Sequence, residues 1–199
     1  MDAPTDQPLG RKLPDPPLSE EDHRLALALV RRAVELFVRE GRHLESGESA
    51  PFFSRREGVF VTLTVPEGLR GCVGTVESEK PLSETLVHYA IAAATQDNRF
   101  APVSEAELPR LRYEISILSG LRRADSPDEL QVGTHGVMVE SGARRGLLLP
   151  QVALAHRWDR VTFLDQVCMK AGLPAGAWRG GAALWLFTAE VFGEEFPGP

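Results

Sequence analysis

Cys72 stands between Gly71 and Val73, with Arg70 before it and Gly74 two residues later. Thiolate is the nucleophilic form of cysteine, and a neighbouring arginine favours it. Flanking glycines let a ligand approach the backbone, and the N–H groups beside them can cradle an anion. The same residue also fits plain packing, since free cysteine is among the most buried residue types. His135, before Gly136, is the candidate base that a cysteine nucleophile needs within hydrogen-bond reach; its plainer role is a histidine bonded to its own turn. Arg99, beside Phe100, has the charge to hold a carboxylate or phosphate, or to stitch a loop to a helix end. Glu114 lies on the polar side of an alternating strand, where it can orient a base or face water. Gln151, after Pro150, offers an amide to a polar substrate or a cap to a short helix. The candidate catalytic pair is therefore Cys72 and His135. The candidate ligand-binding residues are Arg70, Gly71, Gly74, Arg99, Glu114 and Gln151.

Other chemistry finds little support. The five histidines are scattered without metal-ligand spacing, and neither Cys72 nor Cys168 belongs to a CxxC pair, so no metal site is expected. Walker loops, dinucleotide fingerprints and nucleophile elbows are absent, which leaves any cofactor unassigned. Two cysteines are too few for a disulfide framework in 199 residues, and reduced thiols are the expectation. A net charge of −6 does not favour nucleic acid, and Arg122, Arg123, Arg144 and Arg145 read mainly as solvated loop charges. No apolar run is long enough to span a membrane. The opening Met1-Asp2-Ala3-Pro4 is unlike a signal peptide, so a cytoplasmic location is expected.

The elements that must position these residues follow from pattern. Residues 1–17 hold five of the 15 prolines and read as a flexible arm before a single domain over 18–199. Ser19 has the character of an N-cap, with Glu20, Glu21 and Asp22 in the first turn and a stop at Gly41. Residues 59–65 and 72–76 alternate as antiparallel strands around the Pro66-Glu67-Gly68 turn. A second helix runs over about 82–96, and Ser104 with Glu107 has capping-box spacing. Tyr113 to Leu118 is a further strand. Residues 136–140 and 146–149 form a hairpin around 141–145. Asp159 caps a third helix, and Leu184 to Phe192 reads as one closing strand. Hairpins outnumber strand–helix alternations, so the expected class is α+β with a mainly antiparallel sheet and flanking helices.

Leu69-Arg70-Gly71-Cys72-Val73-Gly74-Thr75 resembles the LRGCIG motif of the AMMECR domain family, with valine in place of isoleucine. The resemblance continues in order through Asn98-Arg99-Phe100-Ala101-Pro102-Val103-Ser104, Glu114 to Ser119, His135-Gly136, Gly146 to Ala153, Trp158-Asp159 and Lys170 to Pro174, covering roughly residues 20–195. It implies a larger α+β lobe, a smaller β-containing lobe and a cleft between them. Prokaryotic members are similar to the first component of the AmmeMemoRadiSam gene set, which implies a radical S-adenosylmethionine protein and a Memo-like protein as partners. The family has no established activity. Two functions fit: a cysteine-dependent enzyme or substrate-binding subunit, and a non-catalytic adaptor that uses the groove between the lobes.

Overall fold

The computed structural model describes residues 16–45, 47 and 50–195, so most of the expected arm (residues 1–15) lies outside the described residues. Pro16 and Leu18 are already pinned: Arg55 donates to the Pro16 carbonyl at 2.8 Å, and the Leu18 N–H donates to Glu190 at 2.9 Å. Helix α1 (Glu20–Glu40) starts at Ser19, whose hydroxyl accepts the Asp22 N–H while the Asp22 carboxylate accepts the Ser19 N–H. It ends at Gly41, whose φ of 67° is the left-handed C-cap that glycine adopts without steric cost. Its Ala26, Leu29, Val30, Ala33 and Val34 recur at helical spacing and are buried.

Those side chains meet the first of two four-stranded antiparallel sheets. It contains β1 (Gly58–Val65), β2 (Gly68–Thr75), β3 (Arg112–Leu118) and β8 (Ala189–Gly193), in the order β2-β1-β3-β8. Val59, Val61, Leu63, Tyr113, Ile115 and Ile117 alternate onto the face covered by α1 and α2 (Leu82–Thr95), and form one core with them. The second sheet contains β4 (Arg122–Arg123), β5 (Gly136–Ser141), β6 (Arg144–Leu148) and β7 (Ala183–Phe187), in the order β4-β7-β5-β6. Val137, Val139, Leu148, Leu184 and Leu186 pack there against α3 (Pro150–Ala155) and α4 (Arg160–Lys170), forming a separate core. Cys168 is fully enclosed in that core, and burial pushes its thiol pKa up. The α+β class with antiparallel sheets is as the sequence pattern predicts. No helix among the described residues is long and apolar enough to cross a membrane.

Two expectations need correction. The closing strand is two strands, β7 and β8, which belong to different sheets and meet at Thr188. Apolar alternation runs on through the junction, so hydrophobicity alone cannot reveal that the chain changes sheets. The return crossing, between β3 and β4, lies alongside: Ser119 N–H donates to the Thr188 carbonyl, and Thr188 N–H donates to the Ser119 hydroxyl, both at 2.9 Å. Arg122 and Arg123, expected in a loop, form β4 against β7, with Arg122 ion-paired to Glu129 at 2.5 Å.

Helix α2 lies directly on β2. A Cβ at Gly71 would stand 2.1 Å from the Ala93 carbonyl oxygen, so only glycine allows this approach. Gly71→Ala is therefore expected to destabilise the fold by about 2 kcal/mol or more, since helix backbone must move to admit the methyl. Gly120→Ala, with open space around it and no positive φ, should stay within about 0.5 kcal/mol. Urea unfolding of both variants checks the contrast.

Candidate functional site

The face of the first sheet opposite its helices carries a row of polar residues across three strands. Cys72 on β2 pairs with Thr62 on β1, which pairs with Glu114 on β3. Being in register, the three side chains share that face. The Thr62 hydroxyl donates to the Cys72 sulfur at 3.3 Å, and the thiol is half-buried. One row along, Ser116 pairs with Phe60, and Phe60 with Gly74.

β2 is the edge of its sheet, so its outward backbone groups need partners from elsewhere. The Cys72 N–H donates to the Asp97 carboxylate at 2.8 Å, just beyond α2. Arg99 grips the same carboxylate through Nε at 2.9 Å and Nη2 at 2.6 Å, and Nη2 reaches the Cys72 carbonyl at 3.5 Å. Arg99 and the two backbone N–H groups hold the Asp97 carboxyl far below the usual range, against the opposing effect of burial. Arg99 is raised in turn by Asp97. The Asp97 side chain is only 5% exposed, whereas that of Arg99 is 52% exposed: the carboxylate is covered by its partners near the surface, and the guanidinium keeps an open side.

The second lobe reaches this row from two helices. Gln151, near the start of α3, donates to the buried Ser116 hydroxyl at 3.3 Å and also interacts with Glu114. Burial pushes the Glu114 carboxyl up, and Gln151 opposes that rise. The other amide atom, Gln151 Oε1, is buried without a donor. Lys170, the last residue of α4, is exposed to solvent, and the protein around its amine lowers its pKa. Cys72 opposes that shift and Arg99 adds to it, which puts the amine within electrostatic reach of both. No ion pair to Lys170 occurs among the described residues. A thiol and a carboxyl inclined to keep its proton thus share one face of the first sheet, with an amide from α3 in contact with that face and the amine of Lys170 within electrostatic reach of the thiol. Among the described residues no group of three or more His, Cys, Asp or Glu side chains gathers as a metal site would need.

Several residues singled out from the sequence serve the scaffold. Arg70 is the extra residue of a β-bulge, where Leu63 pairs with Gly71 but Thr64 with Leu69. Its guanidinium pairs with Glu107 at 2.6 and 3.2 Å and donates to the Pro102 carbonyl, and it pulls the Glu107 carboxyl down to about 2. Gly71 makes room for Ala93, and the Phe60 ring covers Gly74, where a Cβ would come within 2.5 Å of it. These close approaches are to the protein itself, so neither glycine opens its Cβ side to a ligand. His135 accepts the Gln131 N–H at Nδ1 (3.2 Å) inside its own turn, and the contacts of Cys72 are to Thr62, Asp97 and Arg99 instead. Sequence reasoning missed Asp97, Thr62 and Lys170 as site residues. The spacing of Asp97 and Arg99, two residues apart behind a helix, was a local signal for their pairing. Lys170 is about a hundred residues from Cys72 and had none.

The two depressed carboxyls set an acid limit on stability. Asp97 and Glu107 contribute fully above the unfolded carboxylate range, near pH 4.5, and lose their contribution as pH falls to about 2 and below. Asp97→Ala strands the Cys72 N–H and should cost about 1–3 kcal/mol at pH 7. Urea unfolding at pH 7 and pH 3 should find that penalty smaller at the lower pH. Equal penalties at both would show that Asp97 carries no linked charge.

The sequence pattern of the AMMECR1 family matches residues 27–192. A protein of Thermofilum pendens is 41% identical over 198 residues, covering 90% of this chain and 93% of that protein. One from Methanosarcina mazei is 39% identical over 189 residues, covering 90% and 95%. The crystal structure of the uncharacterised protein PH0010 from Pyrococcus horikoshii is similar throughout, with a TM-score of 0.87 at 36% identity over 92% of this chain and 96% of that one. The chain belongs to the AMMECR1 family.

Proposed function

We propose that this protein is a cysteine-dependent enzyme, or the substrate-binding subunit of one, that works at Cys72 in the cleft between the lobes. The observation that carries this is the half-buried thiol in a polar row with Thr62 and Glu114, within electrostatic reach of a lysine from the other lobe. A partly exposed thiol within electrostatic reach of a cation is the microenvironment in which cysteine reacts, whereas Cys168, sealed in the second core, is the inert kind. The base role passes from His135, whose Nδ1 serves its own turn, to Lys170. Burial lowers the pKa of that amine, the direction that suits a base.

Acyl transfer suits this arrangement. The Cys72 proton passes to the Lys170 amine, and the thiolate adds to the carbonyl carbon of an activated acyl donor. The S–C bond forms, the bond to the leaving group breaks, and the leaving group takes the proton back from the Lys170 ammonium. The open side of Arg99 offers charge to a carboxylate or phosphate on the substrate. Glu114 and Gln151 offer hydrogen bonds to its polar groups. A radical S-adenosylmethionine protein and a Memo-like protein are the proposed partners, on family resemblance alone. A cytoplasmic setting would keep both free thiols reduced.

Short-chain thioesters and p-nitrophenyl esters test this, with intact-mass readout of the folded protein. One acyl adduct should form on Cys72, none on Cys168, and none at all in Cys72→Ala. Lys170→Met should slow the adduct about three- to tenfold at pH 7, because the amine that takes the thiol proton is gone. No adduct, or equal labelling of the two cysteines, would favour the adaptor.

A further inference from the structure

A second pocket, of about 330 Å³, lies where the end of β2 meets the outer face of the second sheet. Its floor follows from register. Met138 on β5 pairs with Leu147 on β6 and with Trp185 on β7, so the three side chains form one apolar row on the face turned away from α3 and α4. The solvent side of an antiparallel sheet ordinarily alternates to polar residues, yet Trp185 and Leu147 are only half-buried here. Val76, Glu77 and Leu121 supply the opposite wall, the last from the crossing between the lobes. The site is distinct from the Cys72 row, because the Phe60 ring over Gly74 stands between them on the first sheet.

The charges at its rim select a ligand. Glu140 and Arg145 form an ion pair at 2.8 Å and largely cancel. Glu77 is exposed, and no ion pair to it occurs among the described residues. Arg123 sits beside Trp185 on the same face but outside the pocket lining. Among the lining residues Glu77 therefore supplies the one charge without an ion pair, next to a floor that includes an indole, which attracts cations over its face. The volume falls at the lower end of small-molecule sites. We infer that this pocket binds a compact organic amine, with its apolar body on Met138, Leu147 and Trp185 and its ammonium beside Glu77. Because the walls come from both lobes, an occupant bridges them. The inference stands independently of any reaction at Cys72.

Three probes that share a ring and differ in head group test it: phenethylamine, phenethyl alcohol and phenylacetate. Each is titrated into the full chain while the indole N–H resonances are followed, with Trp185→Phe assigning the relevant signal. Phenethylamine should give a saturable shift of the Trp185 resonance at millimolar concentration, about fivefold tighter than the alcohol, and phenylacetate should give none. Glu77→Gln, a surface change that leaves the floor intact, should bring amine and alcohol within about twofold of each other. The inference fails if no probe saturates, if the acid binds as well as the amine, or if Glu77→Gln leaves the amine preference unchanged.

Discussion

The hydrogen bond from the Cys72 N–H to the Asp97 carboxylate fixes the place of the Cys72 thiol at the edge of the first sheet. An edge strand carries backbone donors that must find water or a partner, and here the partner is a charge. That carboxylate stays ionised because Arg99 wraps it, and it stays in place because helix α2 delivers it and lies flush on β2. The flush contact depends on Gly71, which leaves room for the Ala93 carbonyl. Arg70 ties the neighbouring bulge to Glu107. The segment around Cys72 is thus clamped from both ends, and its thiol points to the face away from the helices.

That face is polar because the fold has two cores where a simpler one would have a single core. Each sheet buries its apolar face under its own helices. The chain crosses between the sheets at Ser119 and Thr188, where the two crossings hydrogen-bond to each other. The second lobe therefore lies against the other side of the first sheet, and brings Gln151 and Lys170 toward a row that no helix of the first lobe covers. Glu114, half-buried there against Gln151, has its carboxyl pKa raised by burial without being locked in an ion pair.

Much of the scaffold was legible in the chain because it is written locally. Ser19 with Asp22 and Gly41 mark α1, Asp159 marks α4, and the β-branched run from Val59 marks β1. The passage from β7 to β8 was not legible, since alternation does not say which sheet a strand joins. The glycines around Cys72 fit, in the sequence alone, the close approach of a ligand. Glycine reports that something comes close, and only the fold shows that it is Ala93 at one position and Phe60 at the other. Arg70 and Arg99 looked alike as candidate cations. Their difference lies in partners 37 and two residues away. His135 had the right chemistry for a base, but its ring belongs to the turn it sits in. Lys170 and Cys72 meet only through packing of one lobe on the other, which no spacing rule contains.

Whether Cys72 is a reactive thiol is read most directly from its rate of alkylation by iodoacetamide at pH 7. Cys168 in the same folded molecule serves as the internal control and free cysteine as the external one. Cys72 should react faster than free cysteine, while Cys168 stays unmodified until the protein is unfolded. If Cys72 reacts no faster than Cys168 in the native state, the row of Cys72, Thr62 and Glu114 is packing and Cys72 is not a reactive thiol.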